Sequence, residues 1–310
     1  MKNNQHIFSI EKMSQVLKVS KSGYYDWLGR KPSKRAVENK ELKTKIISIY
    51  QESKARYGSP KITKELEEQG MKVSRPRVAR IMHLEGIKSI THKKFRISTT
   101  DSNHNYLIAK NHLNRDFSTN SSAKKWVSDL TYIWTKQGWL YLTIIMDLFD
   151  RKIIGWALSD NMTTQDTVTK AWKMAVFNRP IFSQLIFHSD RGVKYASNEF
   201  RALLKQSPVL QSMSRKGNCW DNAVAENFFK ILKSEMVNHY EFETIWQAKN
   251  HVFEFIEGWY NKKRKHGYLG HKTPNEFGNI NYKKCAELFV QFFVASPVLK
   301  VVFSASFILS

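Results

Sequence analysis

The sequence predicts a basic, all-helical N-terminal region followed by an α/β domain. Before residue 90, apolar residues recur at helical spacing, as Leu42, Ile46 and Tyr50 do. From residue 125 onward, runs of β-branched and aromatic residues alternate with helical patterns, beginning with WVSDLTYIW at 126–134. The change of periodicity along the chain therefore indicates the α/β class, with a separate helical region in front.

Composition narrows the kind of partner. The chain has 310 residues, with 50 Lys and Arg against 27 Asp and Glu, and a formal net charge of +23. Its apolar content of 42% is enough to bury the cores of two or three domains. So large a positive charge indicates a polyanionic partner, nucleic acid before an anionic membrane.

Cysteine usage and the N-terminus exclude other classes. Cys219 and Cys285 stand far apart without a C-x-x-C motif, which argues against a disulfide scaffold or a cysteine-rich zinc site and fits a reducing compartment. Met1 to Ser9 carries no apolar stretch, so no secretory signal is expected.

Two segments of the helical region suit DNA binding. Residues 10–30 hold two short helical patterns, typical of a helix-turn-helix unit, although Lys18 stands where its turn glycine is expected and a plain helical hairpin fits equally well. A later helix is predicted from Ser74, with Arg75, Arg77 and Arg80 at its start and exposed side. That layout predicts a DNA-contacting recognition helix, with a solvated basic face as the alternative.

The α/β domain begins with three predicted strands, at 126–134, 138–149 and 152–158. The turns between them are short, so we expect an antiparallel meander. Thr163 and Asp166 form a predicted capping box at the start of the helix that follows.

Three acidic residues stand out in this domain. Asp129 interrupts a strand that is otherwise apolar and β-branched, against strand propensity. Asp190 follows the short apolar strand 185–187, at a strand end where ligand sites of α/β folds concentrate. Glu226 lies on a predicted helix, with 35 residues between it and Asp190. A few carboxylates of this kind can hold one or two Mg²⁺ ions beside a phosphate.

The helix of Glu226 also carries two cations on one stripe. Glu226, Lys230 and Lys233 are spaced i, i+4 and i+7, so one carboxylate is followed by two amines. This order suits a metal ion and then DNA phosphates.

Structural alternatives stay open for each acid. Asp129 could be an acid that deters edge pairing, Asp190 a turn aspartate, and Glu226 a partner of Lys230 on a solvated helix. Three nearby residues have interpretations of their own: Asp147 beside a turn, Asp221 as an acid at a helix N-terminus, and His188 as either a site residue or a core histidine.

The ordered motifs resemble a known family. WVSDLTYI, FHSDRGVKYAS and SRKGNCWDNAVAENFFKILKSE are similar to the three acidic motifs of the second-reading-frame (OrfB) transposases of bacterial insertion sequences, which have a retroviral-integrase-like D,D(35)E core. YGSPKITKEL and HGYLGHKTPNEF resemble the upstream helical domain and the C-terminal motif of that family. The resemblance covers about residues 1–280.

The resemblance implies a fold and a reaction. The fold is an RNase H-like core, a mixed five-stranded sheet with flanking helices. Asp129, Asp190 and Glu226 would be the metal-binding catalytic triad, with Mg²⁺ or Mn²⁺ as cofactor, and Lys233 would contact DNA ends. The reaction is cleavage at the element ends followed by attack of the freed 3′-hydroxyl on a target phosphodiester. No structural zinc is expected, because His6, His83 and His92 have no matching cysteine pair.

Together these observations predict five segments and several partners. The segments are a helix-turn-helix-like piece at 1–30, a second helical DNA-binding domain at 31–90, a basic linker at 91–124, an integrase catalytic core with a C-terminal helical extension at 125–280, and an atypical apolar tail at 281–310. The expected partners are double-stranded DNA at the element ends and target, further copies of the chain on DNA, and an upstream-frame (OrfA-type) protein as partner or fusion. A cytoplasmic, nucleoid-associated location is expected, and no membrane.

Two other functions fit parts of the sequence. A DNA-binding repressor or an inactive remnant of an insertion element would use the helical units alone, and the apolar tail favours it. A ribonuclease of the same fold would use the three carboxylates on RNA–DNA hybrids.

In the tail, Pro297 and Lys300 argue against a membrane span.

Overall fold

The computed structural model describes residues 1–90 and 106–281. Residues 91–105 of the expected linker and 282–310 of the expected tail lie outside the described residues. Contacts divide the chain into two compact units, Met1–Ser89 and a second that begins at Ile90. Across the two described ranges, no helix is both long and apolar enough to cross a membrane.

The first unit is helical. Its α-helices are α1 (Ile10–Leu17), α2 (Lys21–Gly29), α3 (Lys34–Glu52), α4 (Ser59–Glu68) and α5 (Arg75–Leu84). Serine side chains cap the first three, each accepting a backbone N–H of the first turn. Lys18 ends α1 with a φ of 54°, so a lysine adopts the left-handed conformation that glycine usually supplies.

The second unit is built on a five-stranded sheet of order β3-β2-β1-β4-β5. The strands are β1 (Lys125–Thr135), β2 (Gly138–Asp147), β3 (Ile153–Ser159), β4 (Leu185–Ser189) and β5 (Val209–Met213). β1, β2 and β3 pair antiparallel, whereas β4 pairs parallel with both β1 and β5. The predicted meander and the mixed five-stranded sheet are therefore confirmed.

Helices flank this sheet. They are α6 (Lys170–Asn178), α7 (Val193–Ala196), α8 (Asn198–Leu204), α9 (Ala223–Glu235), α10 (Ile245–Phe253) and a helical run at 274–281. A π-helical turn precedes α6, and α10 continues into a π-helical segment, Glu254–Tyr260. One half of the predicted capping box is observed: Thr163 Oγ1 accepts the Asp166 N–H, and it also donates to Asp166 Oδ2.

Aromatic side chains fill the space between one face of the sheet and α6, α7 and α8. The Trp172 ring on α6 contacts Trp126 on β1 and Phe187 on β4 edge-on, with centroids 5.6 and 5.2 Å apart. Gly155 lets α6 lie directly on β3, because a Cβ there would come within 2.3 Å of the Ala171 carbonyl oxygen. This packing holds the two strands that carry the candidate site.

A buried ion cluster ties α6 to the end of β2. Arg179 Nη1 donates to Asp147 Oδ2 at 2.7 Å, and Arg179 Nη2 donates to Asp150 Oδ2 at 2.7 Å. The Asp147 Oδ2 atom also accepts from Trp126 Nε1 and from the Ala123 N–H. Although burial opposes it, the Asp150 and Asp147 carboxylates raise the pKa of Arg179 and keep it charged.

Replacing Arg179 should destabilise the fold. Arg179→Met leaves two buried carboxylates without their cation, and we expect the free energy of unfolding to fall by about 3–5 kcal/mol. Lys170→Met is the matched control, because Lys170 at the start of α6 pairs with Asp166 at the surface and should matter little. Urea unfolding followed by tryptophan fluorescence measures both, and equal midpoints for the two variants would contradict the assignment.

Candidate active site

The strand register brings Asp129 and Asp190 together. On the parallel pair β1 and β4, Val127 lies opposite His188. Asp129 and Asp190 each follow two residues later, so they lie at adjacent positions where the pairing ends. Asp190 Oδ1 accepts the Gly192 N–H at 2.9 Å, which turns the chain away from the sheet. The turn interpretation of Asp190 is thus correct in geometry and compatible with a place in the site.

Glu226 reaches the same region from α9. The helix begins beside β1, where the Asn222 Nδ2 atom donates to the Ser128 carbonyl oxygen at 3.0 Å. Glu226 lies in the first turn and is exposed, whereas Lys233 lies in the last turn and is partly buried. Within the described ranges no ion pair joins Glu226 to Lys230, so the two do not form the surface pair that the i, i+4 spacing allows.

The charges of these residues act on one another. Burial raises the pKa of Asp129 well above its ordinary value, and the neighbouring charges of Asp190 and Glu226 raise it further. Although the side chain of Glu226 is exposed, partial desolvation of its carboxyl group and then the charge of Asp190 raise its pKa. Burial lowers the pKa of Lys233, against the attraction of Asp129. The three acids therefore form one electrostatic group with Lys233 at its edge.

Buried side chains support the strand beneath Asp129. The Ser128 and Tyr195 hydroxyls lie 2.8 Å apart, and the Ser128 hydroxyl donates to the Ile144 carbonyl oxygen. Burial, and then the charges of Asp129 and Asp190, raise the pKa of Tyr195, so its hydroxyl stays protonated. Sequence patterns did not single out Ser128, Tyr195 or Asn222, because their roles depend on contacts between distant segments.

The three acids do not form a closed metal cage. In residues 1–90 and 106–281, no three His, Cys, Asp or Glu side chains meet as a ready-made metal cluster. The donor set still fits a hard cation such as Mg²⁺, since it consists of carboxylates whose mutual repulsion a cation would relieve. The fit is therefore one of ligand chemistry and charge, and an ion shared by all three would require the carboxylates to draw closer.

Asp147, Asp221 and His188, the three nearby residues with interpretations of their own, have structural partners. Asp147 belongs to the buried cluster with Arg179. Asp221 is fully buried and pairs with Arg115 and Arg215, so the interpretation as an acid that merely faces a helix dipole was incomplete. His188 is a buried core residue, with Nδ1 2.8 Å from Ser212 Oγ and Nε2 3.2 Å from Ser214 Oγ.

The arginines of the first unit differ from one another. Arg75 and Arg80 are exposed on α5. Arg77 is partly buried and joins α5 to α3, because its Nη2 donates to Glu38 Oε2 and its Nε to Asn39 Oδ1, both at 2.9 Å. Arg75 and Arg80 thus offer their cations to solvent, while that of Arg77 is engaged within the unit.

Comparison with known proteins gives the family. Residues 119–219 and 226–281 match two family models described as Integrase core domain, and residues 37–95 match the HTH-like domain. The chain is 35% identical to the transposase InsF for insertion sequence IS3A of Escherichia coli (strain K12), over 91% of this chain and 98% of the relative. The chain belongs to the IS3-family transposases. It is a DDE transposase, an enzyme of DNA transposition.

The chain also matches a second insertion-element protein and a solved integrase structure. The transposase is 40% identical to the uncharacterized 31 kDa protein of insertion element IS600 from Shigella sonnei, over 86% of this chain and 97% of the relative. A solved structure of the HTLV-2 integrase catalytic core domain in complex with magnesium aligns with 51% of the transposase and 97% of its own chain, at 16% identity and a TM-score of 0.39.

His188 makes the stability of the transposase depend on pH. Burial lowers the pKa of His188 from 6.5 to about 4. Between these pH values, His188 is therefore protonated in the unfolded chain and neutral in the folded chain. The contribution of His188 to the free energy of unfolding should therefore fall as pH falls from about 6.5 to about 4, by at most about 1.4 kcal/mol per pH unit.

Urea unfolding at several pH values between 4.5 and 7 measures this slope. His188→Gln should flatten it, because the variant has no imidazole to protonate. His112→Gln, which alters an exposed histidine of the same unit, should keep the wild-type slope. The same slope in all three proteins would show that His188 does not titrate as its burial requires.

Proposed function

We propose that Asp129, Asp190 and Glu226 are the catalytic acids of this transposase, and that they bind Mg²⁺ or Mn²⁺ during cleavage and strand transfer at the element ends. The observation that supports this most directly is the shared electrostatics of the three carboxylates, which come from β1, the end of β4 and α9. Such mutual repulsion is costly, and a bound cation removes the cost.

Different residues of the chain would bind the cation and neutralise the charge of a DNA phosphate. The three carboxylates would hold the cation, which when bound supplies charge stabilisation at a phosphoryl oxygen. Lys233 lies near enough to Asp129 for the Asp129 charge to oppose the lowering of its pKa by burial, and its amine would neutralise charge on the phosphate. The exposed Lys230 offers a second cation along the same helix toward the DNA backbone. Positioning and charge neutralisation thus replace a protein nucleophile.

DNA recognition is assigned to the first unit. Arg75 and Arg80 are exposed on α5, and a basic helix face of this kind can meet phosphates and base edges in the major groove. Arg77 was predicted with them, and we retain it as a residue that orients α5 through Glu38 and Asn39.

The wider assembly follows from the reaction. The partners we propose are double-stranded DNA at the element ends and at the target, further copies of the chain on that DNA, and an upstream-frame protein as partner or fusion. Because its substrate would be chromosomal DNA, the location we propose for the transposase is the cytoplasm, in association with the nucleoid.

Asp129→Asn tests the catalytic assignment. Loss of one carboxylate from the set should lower the rates of end cleavage and joining by about 10³-fold, because several kcal/mol of charge stabilisation is lost. End-sequence DNA with Mg²⁺ or Mn²⁺ is the substrate, and binding of that DNA should change less than twofold. Asp160→Asn, which alters an exposed aspartate of the same unit, is the control and should stay active.

Three outcomes would overturn the proposal. Full cleavage and joining by Asp129→Asn would remove Asp129 from the catalytic set. A wild-type chain that binds the ends and yields no joined product with either metal would favour the binder-only alternative, a repressor or an inactive remnant. Preference for RNA–DNA hybrids over duplex ends would favour the ribonuclease.

A further inference from the structure

A buried aspartate gathers two arginines near the candidate active site. Asp221 lies between β5 and α9, and its side chain is fully buried. Arg215 donates to it through Nε at 2.9 Å and Nη2 at 2.7 Å, and Arg115 donates through Nε at 2.9 Å. The two arginine side chains are 48% and 44% exposed, so each guanidinium joins a buried anion to solvent.

The cluster carries one more positive charge than negative. Asp221 supplies a single carboxylate for two guanidiniums. Its oxygens are occupied, since the Arg215 N–H and Asn111 Nδ2 also donate to Oδ2, each at 2.9 Å. Hydrogen bonds from Arg215, then from Arg115, lower the pKa of Asp221 and keep it ionised. One guanidinium charge is therefore left for an anion that comes from outside.

The surrounding hydrogen bonds place this cluster beside the catalytic acids. Ser214 precedes Arg215, and its N–H donates to the Ser189 carbonyl oxygen at 2.9 Å, one residue before Asp190. On the other side, Asn222 follows Asp221 and donates to Ser128, one residue before Asp129. The two arginines thus belong to the frame that holds both aspartates.

The backbone at Arg115 is strained. Asn114 and Arg115 have φ values of 45° and 63°, a conformation that residues other than glycine rarely adopt. The Asn114 N–H donates to Asn111 Oδ1, and the His112 and Leu113 N–H groups both donate to Ser212 Oγ. The fold therefore accepts a strained turn that brings Arg115 to Asp221, where Arg215 alone would already neutralise the carboxylate.

A neighbouring aromatic side chain favours a nucleic acid over a small anion. Trp220 precedes Asp221 and is 66% exposed. Exposed indoles beside arginines suit a nucleic-acid strand, because bases stack on the ring while phosphates meet the guanidiniums.

We propose that Arg115 and Arg215, gathered by Asp221, form a binding site for one backbone phosphate of the element-end strand, next to the phosphate that reacts. This rests on the proposed function for the identity of the strand. The ligand class is a phosphodiester, and the site orients the strand end without taking part in the chemistry.

Replacing single DNA phosphates with uncharged methylphosphonates tests which phosphate occupies the site. End-sequence DNAs each carry one methylphosphonate within the last few nucleotides, and their affinity for the full chain is measured by fluorescence anisotropy without added metal. For the wild type, one position should weaken binding about 5–10-fold. For Arg115→Gln or Arg215→Gln, the methylphosphonate at that position should weaken DNA binding less than twofold, because the variant has already lost the contact with that phosphate.

Salt dependence supplies the second measurement. Each arginine variant should reduce the slope of log affinity against log salt by about 1, the change expected for one phosphate contact. Lys173→Gln is the matched control, because it removes an exposed cation on α6 and should behave as the wild type. If a Gln variant unfolds, Arg→Lys at the same position retains the charge but loses the planar fork. It should still lower the methylphosphonate penalty by at least twofold.

The outcomes separate this site from the catalytic assignment. Arginine variants with the slope and methylphosphonate profile of Lys173→Gln would overturn the phosphate site, whatever Asp129→Asn does. Activity retained in Asp129→Asn would instead overturn the catalytic assignment while the methylphosphonate result still stands. If the arginine variants reduced the effect of a methylphosphonate equally at every DNA position, the arginines would act through general charge, and this would contradict a discrete site.

Discussion

Repulsion among three carboxylates is the physical interaction that the candidate active site has to accommodate. Asp129 and Asp190 lie side by side because β1 and β4 are parallel neighbours, and Glu226 joins them from α9. Carboxylates so placed bind protons more tightly unless a cation neutralises them, and a rigid frame is needed to hold them together against their repulsion. The frame is visible in the Ser128–Tyr195 contact below Asp129 and in the Asn222 bond that fixes the start of α9.

Two of the arginine–carboxylate clusters among the described residues of this unit have opposite charge balance. Around Arg179, two buried carboxylates share one buried guanidinium, and the cluster is closed to solvent. Around Asp221, one buried carboxylate holds two half-exposed guanidiniums, and the cluster stays open. The first arrangement serves the packing of α6 against the sheet. The second leaves positive charge at the surface, where a polyanion can use it.

The sequence predicted what local patterns determine. Runs of β-branched and aromatic residues with short turns between them predicted the three antiparallel strands, capping chemistry predicted the start of the helix after Thr163, and strand propensity singled out Asp129. Pairs between distant segments left no local signal: Arg179 lies 32 residues from Asp147, and Arg115 lies 106 residues from Asp221. The adjacency of Asp129 and Asp190 also depends on a parallel register, which only the family resemblance implied.

Direct measurement of cation binding tests the central claim that the three carboxylates act as one set. Mn²⁺ binding to the full chain can be followed by electron paramagnetic resonance or calorimetry, without DNA and without turnover. The account predicts that Asp129→Asn, Asp190→Asn and Glu226→Gln each weaken Mn²⁺ binding at least about tenfold, because each removes an oxygen ligand and its charge. Asp160→Asn should bind as the wild type does. Wild-type Mn²⁺ affinity in all three variants would contradict the account.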